Sequence, residues 1–104
     1  MDFIDENDAL NAIISMFMSL FLSQSCDNID FSLKITPKES YLTFVCDSLD
    51  DNFRFFLMRL IKCEQLSERE VVKYEKYLVL RELIDDILME TTDENTTIKL
   101  LRKY

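Results

Sequence analysis

The chain has 104 residues, with 20 acidic side chains against 12 basic ones for a net charge of −8, and it contains no glycine, histidine or tryptophan. Without glycine it lacks the material for phosphate-cradling loops, a nucleophile elbow or an EF-hand turn, because each needs positive φ or close backbone approach. Without histidine the commonest general base and metal ligand is missing, so the composition predicts no enzyme, no cofactor and no metal site.

A hydrophobic share of 48% and a charged share of 31% predict a single compact globular domain over residues 1–104. The acidic balance repels nucleic acid and anionic membrane alike, so the expected partner is a protein with a basic surface. Cys26, Cys46 and Cys63 are odd in number, far apart and free of any CxxC pairing. They read as reduced core residues of an intracellular, cytoplasmic protein.

The first predicted element is a helix over about 6–24. Its polar members Asn7, Asn11, Ser15, Ser19 and Ser23 fall four apart in an otherwise apolar run. That spacing makes one narrow polar stripe on a helix buried around most of its circumference. The acids Asp5, Glu6 and Asp8 suit its start, at the positive end of the helix dipole. The apolar stretch from Ala9 to Leu22 falls short of the roughly 20 residues of a membrane span, and an acidic flank is opposite to a signal peptide. Cover for so apolar a helix comes either from the rest of the chain or from a second copy, which leaves a homodimer open.

Residues 29–46 predict a β-hairpin. Ile29, Phe31, Leu33 and Ile35 alternate with Asp30, Ser32, Lys34 and Thr36, giving a strand with one buried face. A four-residue loop from Pro37 to Ser40 leads into Tyr41–Cys46, and pairing Thr36 with Tyr41 sets Ile35 against Leu42, Leu33 against Phe44 and Phe31 against Cys46. Tyr41, Thr43 and Val45 then form the outer face, a candidate partner-binding or dimerisation surface. With no third strand in view, both hairpin edges are open to a strand from another chain.

The second half reads as helical. Asp47 or Ser48 is placed to cap a helix over about 49–64, with Leu49, Phe53, Phe56, Leu57, Leu60 and Ile61 buried, Arg54, Arg59 and Lys62 outward, and Phe55 and Met58 at the boundary. Ser67 and Glu70 form an S-x-x-E capping box opening a long helix over about 68–90, and a short helix follows over about 93–102. On the long helix Glu82, Asp85, Asp86 and Glu90 lie at steps of three and four, hence on one face. Three roles compete for this acidic face: a solvated surface paired in part with Arg81 or the terminal lysines, a docking surface for a basic partner, and a divalent-cation site. Asp85 and Asp86 are the best candidates for metal-assisted hydrolysis, but neighbours on a helix point about 100° apart and cannot share one ion unaided.

The expected fold is α+β and predominantly helical, in the order α-β-β-α-α-α, with one antiparallel hairpin packed against helices. The expected function is that of a non-enzymatic acidic regulator or inhibitor that binds another protein. In size, acidity and helical content the chain resembles small phage and viral inhibitors, including anti-CRISPR and anti-restriction proteins, without sharing a motif with them. That resemblance implies a DNA mimic that antagonises a host nucleic-acid-handling protein. The alternative is a dimeric secretion chaperone or adaptor that binds an extended segment of its client.

Overall fold

The computed structural model describes residues 6–26, 28–47 and 49–104. Helix α1 (Glu6–Ser23) is followed by strands β1 (Ile29–Ile35) and β2 (Glu39–Asp47), helices α2 (Asp51–Ile61), α3 (Glu68–Lys73) and α4 (Leu80–Leu83), and strands β3 (Asp86–Thr91) and β4 (Asn95–Lys103). A 3-10 turn over Glu75–Tyr77 joins α3 to α4. The strands form one antiparallel sheet in the order β1-β2-β4-β3. The order is therefore α-β-β-α-α-β-β with a four-stranded sheet, and the expectation of a mainly helical fold with a single hairpin is wrong. No helix among the described residues is long and apolar enough to cross a membrane.

The correction falls on residues 74–103. The helix expected over 68–90 stops at Lys73, re-forms for one turn at Leu80–Leu83, and gives way to an extended chain at Ile84, whose φ and ψ are −118° and 130°. The helix expected over 93–102 is β4. Leu80, Leu83, Ile84, Ile87 and Leu88 fit a helical period, and leucine, methionine and glutamate favour helix locally. Pairing with β4 overrides that preference: Ile87 faces Leu100 and is buried, whereas Leu88 faces Lys99 and is exposed.

Helices cover only one face of the sheet. Phe17 and Phe21 of α1 meet Phe44 of β2 at ring distances of 5.5 and 5.4 Å, and Phe44 in turn meets Phe31 at 4.9 Å. Leu42, Ile98 and Leu100 complete the covered face with Ile87. The stripe Asn7, Asn11, Ser15, Ser19 and Ser23 is the exposed side of α1. Asp5 lies outside the described residues, while Glu6 binds Arg102 through two hydrogen bonds of 2.9 and 3.0 Å. Arg102 also donates to the Leu83 carbonyl at 2.7 Å, tying α1, α4 and β4 together.

Asp50, not Asp47, caps α2, accepting from the Asn52 N–H at 3.0 Å; Ser48 lies outside the described residues. The Ser67–Glu70 capping box is present, although the helix it opens is short. The outward arginines act as clamps. Arg59 holds Glu70 by two bonds of 2.8 and 2.6 Å, and Arg54 binds Thr91 and Asp51. Arg81, expected to pair with the acidic face, donates instead to the Leu60 and Glu64 carbonyls at the end of α2.

The β1–β2 register differs from expectation by two residues: Phe31 faces Phe44, Leu33 faces Leu42 and Ile35 faces Ser40. The loop is tighter than foreseen. Thr36 donates its N–H to the Glu39 carbonyl at 2.9 Å, and its hydroxyl accepts from the N–H groups of Lys38 and Glu39. Thr92 repeats the arrangement in the β3–β4 hairpin, donating its N–H to Asn95 at 2.8 Å and accepting from Glu94 and Asn95. Two-residue hairpins ordinarily use positive φ and hence glycine or asparagine. Here the positive-φ residues among those described are Ser25 (60°) and Cys63 (57°), after α1 and α2, and a threonine hydroxyl organises each hairpin instead. Thr36→Val and Thr92→Val should each lower stability by about 1 kcal/mol in denaturant titrations, since each removes the acceptor for two turn N–H groups. Cys63→Gly should raise it by about 1 kcal/mol, because glycine adopts the left-handed conformation without a Cβ clash.

Candidate functional site

The uncovered face of the sheet is laid out by register. One row runs Lys34, Tyr41, Leu101, Asp86; the next Ser32, Thr43, Lys99, Leu88; the third Asp30, Val45, Thr97, Glu90. Strand alternation puts all of these on the side away from the helices. The two sets of residues singled out in the sequence thus meet in part: Tyr41, Thr43 and Val45 share this face with Asp86 and Glu90.

The other two acids do not join them. Glu82 is exposed on α4, and Asp85 lies before β3, where its carboxylate accepts the Lys103 N–H at 2.5 Å and its own N–H donates to the Leu101 carbonyl at 2.8 Å. The single helical acidic face does not exist, because the chain becomes extended between Glu82 and Asp86. Among the described residues no three carboxylates or thiols converge as a metal-ligand set.

At the centre of the outer face Tyr41, Leu88, Leu101 and the stem of Lys99 line a shallow depression of about 220 Å³, with Asp86 at its rim. Leu88 is 55% exposed and Tyr41 38%, large values for apolar and aromatic side chains in the middle of an element. Around them stand charges. Lys99 reaches Glu90 at 3.8 Å, and Tyr41 donates its hydroxyl to Glu39, a bond that holds the phenol above its ordinary pKa. Sequence reasoning missed Leu88, Lys99 and Leu101 by placing them on helices. The available signal was the β-branched runs Thr91-Thr92 and Thr96-Thr97-Ile98 flanking Asp-Glu-Asn, which mark a hairpin.

A second hollow, about 340 Å³, lies between α2 and α3 and is lined by Asp50, Phe53, Phe56, Arg69, Lys73 and Tyr74 among others. Its wall is structural: Phe56 stacks on Tyr74 at 4.1 Å, and Glu70 is engaged by Arg59 and the Ser67 N–H. The cysteines differ from expectation at one position. Cys26 and Cys46 are buried, but Cys63 is exposed at the end of α2. Burial pushes the Cys46 thiol up to about 12, with Cys26 beside it adding to the effect, so it is no nucleophile.

No protein-family model, curated protein or solved structure matches this chain.

The Arg59 hydrogen bonds, followed by the Ser67 N–H, lower the Glu70 pKa to about 2. A carboxylate depressed in the folded state stabilises above its unfolded pKa, and that stabilisation is lost as pH falls through the folded value. Stability should therefore drop as pH falls from the ordinary glutamate range toward 2, and Glu70→Gln should flatten that part of a pH–denaturation profile.

Proposed function

We propose that this chain is a non-enzymatic protein-binding regulator that docks a basic partner on the outer face of its sheet. The observation that carries this reading is the apolar centre of exposed Tyr41 and Leu88 with half-buried Leu101, set among Asp86, Glu90 and Asp30 on a face no helix covers. Buried aromatic and aliphatic anchors supply most of the affinity in such contacts, while surrounding charges steer the approach and select the partner. The net charge of −8 extends the steering to the whole molecule. An intracellular, reducing setting fits the free cysteines.

Inhibition of a host nucleic-acid-handling protein by a phage or viral product is the setting that size and acidity suggest. Substitution of carboxylates for a row of phosphates is the less supported form of it, since Glu82, Asp85, Asp86 and Glu90 do not form a row. The four-stranded sheet favours a second reading, a chaperone or adaptor for an extended client, by supplying the strands that the sequence alone lacked. Client binding of that kind runs through main-chain hydrogen bonds at an edge and responds little to salt.

Affinity capture from the native cell with the tagged chain, at low and high salt, separates these readings. Tyr41→Ala and Leu88→Lys should each weaken retention of the specific partner at least about ten-fold, with Glu82→Lys close to neutral. Equal retention by wild type, Tyr41→Ala and Leu88→Lys would remove the outer face from consideration.

A further inference from the structure

We infer that a second copy of this chain occupies the open edge of β1, the two β1 strands pairing antiparallel about a twofold axis at Ser32 so that two sheets join into one. This contact lies at the sheet edge, with its apolar row on the helix side and its charged residues Asp30 and Lys34 at the β1 margin of the docking face proposed above.

The backbone of β1 is prepared for such pairing. β1 is outermost in the sheet. The Thr36 N–H points to Glu39 on β2, so alternation directs the main-chain groups of Lys34, Ser32 and Asp30 inward as well. Those of Ile29, Phe31, Leu33 and Ile35 point to the open edge. Unpaired, such a row is an invitation to another strand.

The side chains leave an apolar surface short of cover at the same place. Phe31, Leu33 and Ile35 are 38%, 39% and 59% exposed, although they share the helix-covered side of the sheet with Leu42 and Phe44. Helix α1 sits over β2 through Phe17 and Phe21, and Ser19, on its outward side, meets the Tyr77 hydroxyl at 2.8 Å. Tyr77 reaches it from the α2 side, because Tyr77 adjoins Tyr74, which stacks on Phe56. At about 100° per residue, Ile14 and Met18 lie about 140° and 100° round the helix from Ser19, on the side toward β1, and Leu22, further round toward solvent, is 64% exposed. Edge pairing would set β2 and its symmetry mate three strand spacings apart, about 14 Å, a gap for the two apolar rows and the two helix flanks to close over.

The sequence of β1 is its own complement under that operation. About Ser32, Asp30 stands opposite Lys34 of the second copy, and Lys34 opposite its Asp30. Phe31 meets Leu33 and Ile29 meets Ile35 on the helix side. Two opposite-charge pairs and an unbroken apolar row therefore come from one seven-residue strand. A register displaced by two residues sets Asp30 and Lys34 against neutral residues, and a displacement by one sets the apolar face against the polar one. Neither Asp30 nor Lys34 forms an ion pair with another described residue. The other edge is built the opposite way: the same operation centred on Leu88 of β3 sets Asp86 against Glu90 of the second copy, acid against acid.

Charge exchange tests the register. Sedimentation equilibrium or native mass spectrometry of the purified chain should show a dimer. Asp30→Lys alone and Lys34→Asp alone each convert both pairs to like charges and should raise the dimer dissociation constant about ten-fold or more. An equimolar mixture of the two variants should form the heterodimer at near wild-type strength, because each lysine at 30 then meets an aspartate at 34 of its partner. Both side chains are exposed, so thermal unfolding of the monomers should be unchanged, which separates loss of pairing from loss of fold. A wild-type chain monomeric at every concentration reached, a dimer indifferent to both substitutions, or a mixture that fails to re-associate would each overturn the inference.

Discussion

The contact on which the architecture rests is the landing of α1 on β2, where Phe17 and Phe21 close over Phe44. Phe44 is fully buried on a central strand paired to β1 on one side and β4 on the other. An aromatic ring there offers a large apolar area and a specific tilted geometry, so it fixes where the helix crosses the sheet. Everything else follows from a single helical layer. With α1 and α2 on one side, and α3 and α4 packed against them, one sheet face stays bare.

The absence of glycine shapes the connections as strongly as Phe44 shapes the core. A glycine-free chain has no inexpensive left-handed turn, and among the described residues that conformation is confined to Ser25 and Cys63, where helices end. Its hairpins use a threonine whose hydroxyl satisfies the turn N–H groups that a different backbone would have satisfied. Arginines recur as fasteners: Arg59, Arg81 and Arg102 each reach groups on another element. A guanidinium bonds several acceptors at once and stays charged when partly buried, which suits the ends of short helices with unpaired carbonyls.

The legible parts of the sequence were those whose periodicity admitted one reading. Asn7, Asn11, Ser15, Ser19 and Ser23 punctuate an apolar run too long and too little alternating for one strand, and the strict alternation from Ile29 to Ile35 is incompatible with a helix. Register was less accessible. It hangs on loop length, and nothing local distinguishes a two-residue loop organised by Thr36 from a four-residue loop opened by Pro37. Between Leu80 and Leu101 the residues carry both periods, and the choice is made by a partner strand rather than by local preference. The candidate site inherited that ambiguity. Tyr41, Thr43 and Val45 were visible because their strand was; Asp86 and Glu90 were visible as acids but assigned to a helical face, and Leu88 and Leu101 were invisible as surface residues.

The dimer inferred above requires a chain of net charge −8 to treat copies of itself differently at its two sheet edges. Net-charge repulsion between two such molecules opposes association on every face, but beyond a Debye length of about 8 Å it is largely screened. Within that distance the local pattern decides. At β3 the flanking carboxylates Asp86 and Glu90 add to the general repulsion and guard the edge, a known device against strand-to-strand aggregation. At β1 the flanking charges are of opposite sign, and the apolar row beside them carries exposures that no guarded edge would show. An exposed Phe-x-Leu-x-Ile row is a hazard for a protein meant to remain alone. The same row beneath an unpaired main chain and a charge pattern that closes on itself is what a defined dimer edge requires.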